Sequence, residues 1–169
     1  IQAGFHYRSD HEAGNELALK LLPFLKITPE NLNESIIDLV RKDYSKTIFD
    51  NYNTEKPVLK PFIKKMIEDQ IRDFNKIAPV IKYRLIGSIL TKRYRKDADL
   101  DINVLFDVPE DEQETTAEVL RERVREVNGK NVPGTVHPIN YFVIVNRDVY
   151  TKANVMADDV YDIVHDRFE

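Results

Sequence analysis

The feature that most constrains this chain is a change of hydrophobic period at Pro79. Before it, apolar residues recur every three or four positions, as on one face of a helix. After it, short β-branched runs alternate with polar residues, as in half-buried strands. Ser9 or Asp10 caps a first expected helix, whose apolar face is Leu17, Leu21 and Leu22 and which ends at Pro23. Thr28-Pro29-Glu30 opens a second, with a side-chain cap, proline at the first helical position and an acid in the first turn. Its stripe is Leu32, Ile36, Leu39 and Val40. Asp50 to Thr54 reads as a loop. Pro61 opens a third helix, with Ile63, Ile67, Ile71 and Phe74 on one face and Lys64, Glu68 and Arg72 off it. Beyond Pro79, Val80–Ile86, Leu100–Phe106 and Ile139–Val145 read as strands, and Glu112–Val127 as an amphipathic helix stopped at Asn128-Gly129. The tail from Arg147 suits a short helix or a last edge strand near Val160–Val164. The expected fold is α/β (α+β): a helical region over 1–77, then a core over 78–169 with a small sheet flanked by helices.

Composition narrows the function classes. The chain has 169 residues, 42% hydrophobic and 32% charged, which suits one globular domain or a small core with an appendage. No apolar run approaches the ~20 residues of a membrane span. The absence of cysteine excludes disulfides, thiolate zinc sites and cysteine nucleophiles, and fits a reducing compartment, so a cytoplasmic location is expected. The chain starts at Ile1 without the pattern of a signal peptide and is read as processed or trimmed. A formal charge of −4 argues against bulk capture of nucleic acid, though not against a local basic patch.

That patch exists. Lys82 to Lys96 holds six basic residues and no acid, and Asp97 to Glu118 holds nine acids and no base. Most of both blocks is solvated surface. At their junction the sequence runs Leu85-Ile86-Gly87-Ser88, ten residues, then Asp99-Leu100-Asp101-Ile102. Gly87 follows a strand and lacks a Cβ, so a bound group can approach its backbone. Ser88 adds a hydroxyl, and a helix starting at Ile89 would offer unpaired amides to a phosphate. Lys92 and Arg93 would offset triphosphate charge. Asp99 and Asp101, two apart, share one face of a strand. Two carboxylates so placed repel unless a cation lies between them, and Mg²⁺ accepts carboxylate and phosphate oxygens together.

The stretch Leu85 to Val104 resembles the signature of the DNA polymerase beta-like nucleotidyltransferase superfamily: an apolar residue, Gly-Ser, a spacer, then Asp-apolar-Asp-apolar. The resemblance implies a mixed sheet flanked by helices and transfer of a nucleoside monophosphate from an NTP to an acceptor hydroxyl, with release of pyrophosphate. It implies that Gly87 and Ser88 bind the nucleotide's phosphates and that Asp99 and Asp101 hold two Mg²⁺ (or Mn²⁺). It also implies a third carboxylate on a later strand. That position falls on Asn140, and no Asp or Glu occurs from Asn131 to Asn146. An amide oxygen carries no charge and is a poor base. Three readings stay open: Asn140 is a weaker substitute; the third acid is Asp148, Asp158 or Asp159; or the chain is a nucleotide-binding or regulatory module with little turnover. The acceptor, whether an RNA end, a protein hydroxyl or a small molecule, is not legible. A short chain leaves room for a protein partner or a second copy to supply its surface.

Other readings of the same residues fail on detail. Asp97-x-Asp99-x-Asp101-x-Asn103 imitates a calcium loop, but Ile102 and Val108 stand where glycine and glutamate are required. A nucleotide-sugar transferase would need an α/β half before its Asp-x-Asp, and no Gly-Lys-Ser or Gly-Lys-Thr phosphate loop occurs. His6, His11 and His165 read as surface residues. His137 reads first as a strand-start residue and second as a group that contacts substrate or moves a proton. Tyr83, Tyr94, Tyr141 and Phe142 read as core, with base stacking the lesser alternative.

Overall fold

The computed structural model describes residues 40–169. The two helices expected before residue 40 lie outside them. Residues 40–60 carry no α-helix, against the helical reading of this stretch. Instead β1 (Phe49–Asp50) and β2 (Val58–Leu59) form an antiparallel hairpin. The polar run between them has no apolar stripe for a helix to bury, and Asn51 takes the left-handed conformation (φ 53°) that turns the chain.

The third expected helix is present as α1 (Pro61–Asn75), with Pro61 in its first turn, and its stripe Ile63, Ile67, Ile71 and Phe74 is buried as anticipated. Full burial of such side chains contributes roughly 1.5–3 kcal/mol each, which outweighs the missing side-chain N-cap. The strands β3 (Val80–Ile86), β4 (Leu100–Phe106) and β5 (Ile139–Ile144) follow the sequence expectation closely. So does α2 (Gln113–Arg125), which carries the chain across from β4 to β5. The ambiguous tail holds both alternatives: α3 (Arg147–Met156), capped by the Asn146 side chain, then β6 (Val160–Asp162) and β7 (Arg167–Phe168).

The sheet order is β5-β4-β3-β6-β7. β4 and β5 run parallel, and the other neighbours run antiparallel. It is therefore the mixed sheet expected. β4 is buried on both faces apart from Asp101, which explains its nearly continuous apolar run. Asn128 closes the free edge of β5: its amide group accepts from the Tyr141 N–H at 2.8 Å and donates to the Tyr141 carbonyl at 3.1 Å. Tyr141 is core, its ring edge against Phe74 and its hydroxyl donating to Gln70. Arg123 of α2 grips Asp73 of α1 with two bonds of 2.8 Å, tying the helices together.

Candidate active site

The register of three strands brings the sequence candidates to one end of the sheet. Ile86 pairs with Asp101 across β3 and β4, and Asp101 pairs with Asn140 across β4 and β5. Paired residues share a face, so the end of β3, the acids and Asn140 lie together. Asp99 falls one residue before β4, and the Asn140 amide nitrogen still donates to its Oδ2 at 2.8 Å. Gly87 takes φ 101°, a conformation that favours glycine. A Cβ built there would lie 3.3 Å from Asp101 Oδ2, so the turn and the carboxylate are close neighbours.

The expected helix at Ile89 does not form. Ser88–Leu90 is a single 3₁₀ turn, and Thr91 is extended. Ile89 and Leu90 are buried, but Lys92 and Arg93 occupy the next turn, so no apolar stripe exists to carry a helix onward. Ser88–Leu90 therefore offers no helix N-terminus to a phosphate. What remains is the backbone turn itself, with the exposed Ser88 hydroxyl beside it. Arg93 is exposed and lines a cavity of about 460 Å³ with Gly87, Ser88, Met156, Asp158 and Asp159. Lys92 turns elsewhere: its ammonium lies 5.4 Å from the centre of the Tyr44 ring.

The electrostatics of the two acids are unusual for a surface. Burial, then the charge of Asp99, pushes the Asp101 carboxyl up to about 6, partly offset by its bond from Asn140. Asp99 is also raised, first by partial burial and then by Asp97, with Asn140 opposing. Among the described residues no Lys or Arg forms an ion pair with either acid. Crowded carboxylates offering hard oxygens, with no Lys or Arg paired to them among the described residues, are a donor set that fits a divalent ion such as Mg²⁺ or Mn²⁺. The fit is incomplete on one side. Asn140 presents its N–H to Asp99, and among the described residues no third His or acid joins the pair into a metal-holding cluster.

The alternative third acids separate by position. Asp148 lies beyond the far ends of β4 and β5, in a cavity with Phe106 and Asp107. Strand length, ~3.3 Å per residue, puts it remote from Asp99. Asp158 and Asp159 flank the Gly87-Ser88 turn from the β6 side, opposite to β4. Their nearness follows from β6 pairing with β3, which no local pattern announced. His137 is 2% exposed, with its ring between the Ala98 carbonyl and the Ser45 hydroxyl. Phe142 is 42% exposed and is not core. Tyr94 packs against His137 and carries the Arg41 guanidinium 4.2 Å over its ring. His165 lies exposed in the turn between β6 and β7, as expected, and its Nδ1 lies 2.6 Å from the buried Asp162.

Residues 63–156, more than half of the chain, match the model of the nucleotidyltransferase domain family. The chain belongs to that family, whose members transfer nucleotidyl groups and typically use divalent metals. No curated protein and no solved structure matches the chain. Among the described residues no helix is long and apolar enough to cross a membrane.

Proposed function

We propose that this protein is a metal-dependent nucleotidyltransferase that moves a nucleoside monophosphate from an NTP to an acceptor hydroxyl. The observation that carries the reading is the contact between the Gly87 turn and Asp101, with Asp99 and Asn140 alongside. Asp99 and Asp101 would hold the divalent ion or ions. A cation bound there supplies charge to offset the triphosphate and to favour the ionised acceptor hydroxyl. Gly87 lets the nucleotide's phosphates approach the backbone, Ser88 offers a hydrogen bond, and Arg93 offsets charge from the neighbouring cavity. The acceptor oxygen forms a bond to the α-phosphorus, the bond from that phosphorus to the β-phosphate bridge breaks, and pyrophosphate leaves with the electron pair. Asn140 is no base, so the hydroxyl proton goes to solvent or to a carboxylate of the pair.

The test is transfer of label from each α-labelled NTP, with Mg²⁺ or Mn²⁺, to pooled RNA, protein and small-molecule acceptors. Transfer that Asp99→Ala abolishes supports the reading. A second reading, a nucleotide-binding module with little turnover, is favoured by the direction of the Asn140 amide, which turns a donor rather than an oxygen toward Asp99. It predicts a nucleotide-dependent rise in melting temperature without label transfer, and transfer appearing in Asn140→Asp. No thermal response to any nucleotide, with or without metal, would remove both readings.

A further inference from the structure

Asp99 is held from three sides by one short segment. The carbonyl of Ala98, before it, accepts from His137 Nδ1 at 2.8 Å. The amide of Leu100, after it, donates to the Pro138 carbonyl at 2.7 Å. Its own carboxylate accepts from Asn140 at 2.8 Å. The stretch from His137 to Asn140 thus fixes both the backbone around this acid and its side chain.

The imidazole is the unusual member. A carbonyl can only accept, so Nδ1 carries a proton and donates to Ala98. Nε2 faces the Ser45 hydroxyl at 3.4 Å, and the Tyr94 ring edge packs against the imidazole at 6.1 Å between centres. Ser45 is itself 2% exposed and bonds to Thr47 at 3.1 Å. An apolar side chain could fill this buried space, but it could not satisfy the Ala98 carbonyl. Ala98 is 7% exposed, so water has little access to replace the bond. The histidine spends a buried polar group on one peptide, and that peptide sets where the Asp99 carboxylate stands relative to Asp101.

We propose that His137 is a positioning residue: through the Ala98 carbonyl it holds Asp99 at the approach to Asp101 that a divalent cation requires. The inference rests on the reading that Asp99 and Asp101 bind metal. Outer residues that orient metal-binding groups commonly contribute about 10-fold or more to affinity. Asparagine carries an N–H near the position of histidine Nδ1, whereas the amide of glutamine reaches toward Nε2. The two substitutes are both polar amides, so their difference reports the bond to Ala98 rather than packing alone.

The experiment is Mn²⁺ binding by electron paramagnetic resonance on the full chain, with melting temperature measured in parallel. The proteins compared are wild type, Asp99→Asn, His137→Asn and His137→Gln. Expected are Mn²⁺ binding by wild type, its loss in Asp99→Asn, weakening of about 10-fold in His137→Gln, and binding within about 3-fold of wild type in His137→Asn. Equal affinities for wild type and a folded His137→Gln would overturn the positioning role and leave the metal reading standing. Equal weakening in both His137 variants would overturn it too, since packing would then suffice as the cause. Failure of wild type to bind Mn²⁺, or undiminished binding by Asp99→Asn, would remove the metal reading and this inference with it.

Discussion

β3 has an acid on each side, Asp162 buried and Asp101 half-buried, and the protein treats the two in opposite ways. On β6, Asp162 pairs with Arg84 and is 2% exposed. Its carboxylate accepts from the N–H groups of Val164 and His165 at 3.1 and 3.2 Å, meets the His165 ring at 2.6 Å, and lies 3.6 Å from Arg84. Burial alone would raise its carboxyl, but the His165 bonds and the Arg84 charge prevail and hold it below the ordinary range. On β4, Asp101 pairs with Ile86 and, among the described residues, meets a second carboxylate and no Lys or Arg; burial and then that neighbouring charge raise its carboxyl to about 6. One acid is satisfied from within the fold. The other carries an unfavourable charge that a ligand can relieve, and strained electrostatics of that kind cluster at functional sites.

The largest effect expected from this contrast is on stability. Asp162→Ala removes the acceptor of the Val164 and His165 N–H groups and one of the two carboxylates beside Arg84, Glu169 remaining at 2.9 Å, and should lower the unfolding free energy by about 2–3 kcal/mol in urea denaturation. Transfer per folded molecule should be unchanged. A loss under about 1 kcal/mol would mean that Asp162 is no better anchored than a surface acid. Asp101→Asn should do the reverse. Nucleotidyl transfer should fall at least about 100-fold, while stability in chelator-treated buffer at pH 7 should rise by roughly 1–2 kcal/mol as the desolvated charge and its repulsion from Asp99 disappear. A variant that is both inactive and destabilised would break the comparison. Gly87→Ala adds a left-handed strain and a Cβ 3.3 Å from Asp101 Oδ2. It should cost about 1–3 kcal/mol and weaken nucleotide binding, read by thermal shift.

The smallest effect is the pH profile of the metal-free protein, where the two acids have opposite signs. Asp101 binds its proton more tightly folded than unfolded, so its contribution improves as pH falls from about 6 toward about 4. Asp162 binds its proton less tightly when folded, so its contribution is complete above about 4 and is lost as pH falls below that. Asp101→Asn should flatten the first limb and Asp162→Asn the second, in chemical denaturation measured across pH. Identical profiles for wild type and Asp101→Asn would place its carboxyl in the ordinary range.

The strands and the long helices were legible because each is a local pattern with enough apolar residues to bury. β3 and β4 span the residues that alternation and β-branching marked, and α1 buries the four residues of its stripe. The helix expected at Ile89 failed for the converse reason. Two apolar residues followed by Lys92 and Arg93 support a turn but not a buried face. The short strands at Phe49, Val58, Val160 and Arg167 have two or three residues each, too few to show a period, and exist only because partners are present. His137 was visible as a residue beside the site. Its bond to Ala98, thirty-nine positions away, was not.

By itself the sequence determined which chemistry-bearing residues this chain owns and their spacing: a glycine–serine turn, two acids two apart, and an amide where a third acid was expected. Local patterning also settled the main elements, because helix and strand periods are properties of short segments. Only the tertiary structure decided which neighbours those residues meet. It set Asn140 and His137 around Asp99, brought Arg84 to Asp162 and a second carboxylate to Asp101, and brought Asp158 and Asp159 to the far side of the turn. Strand order and register join residues distant in the chain, and burial among those neighbours sets the charge each acid can carry.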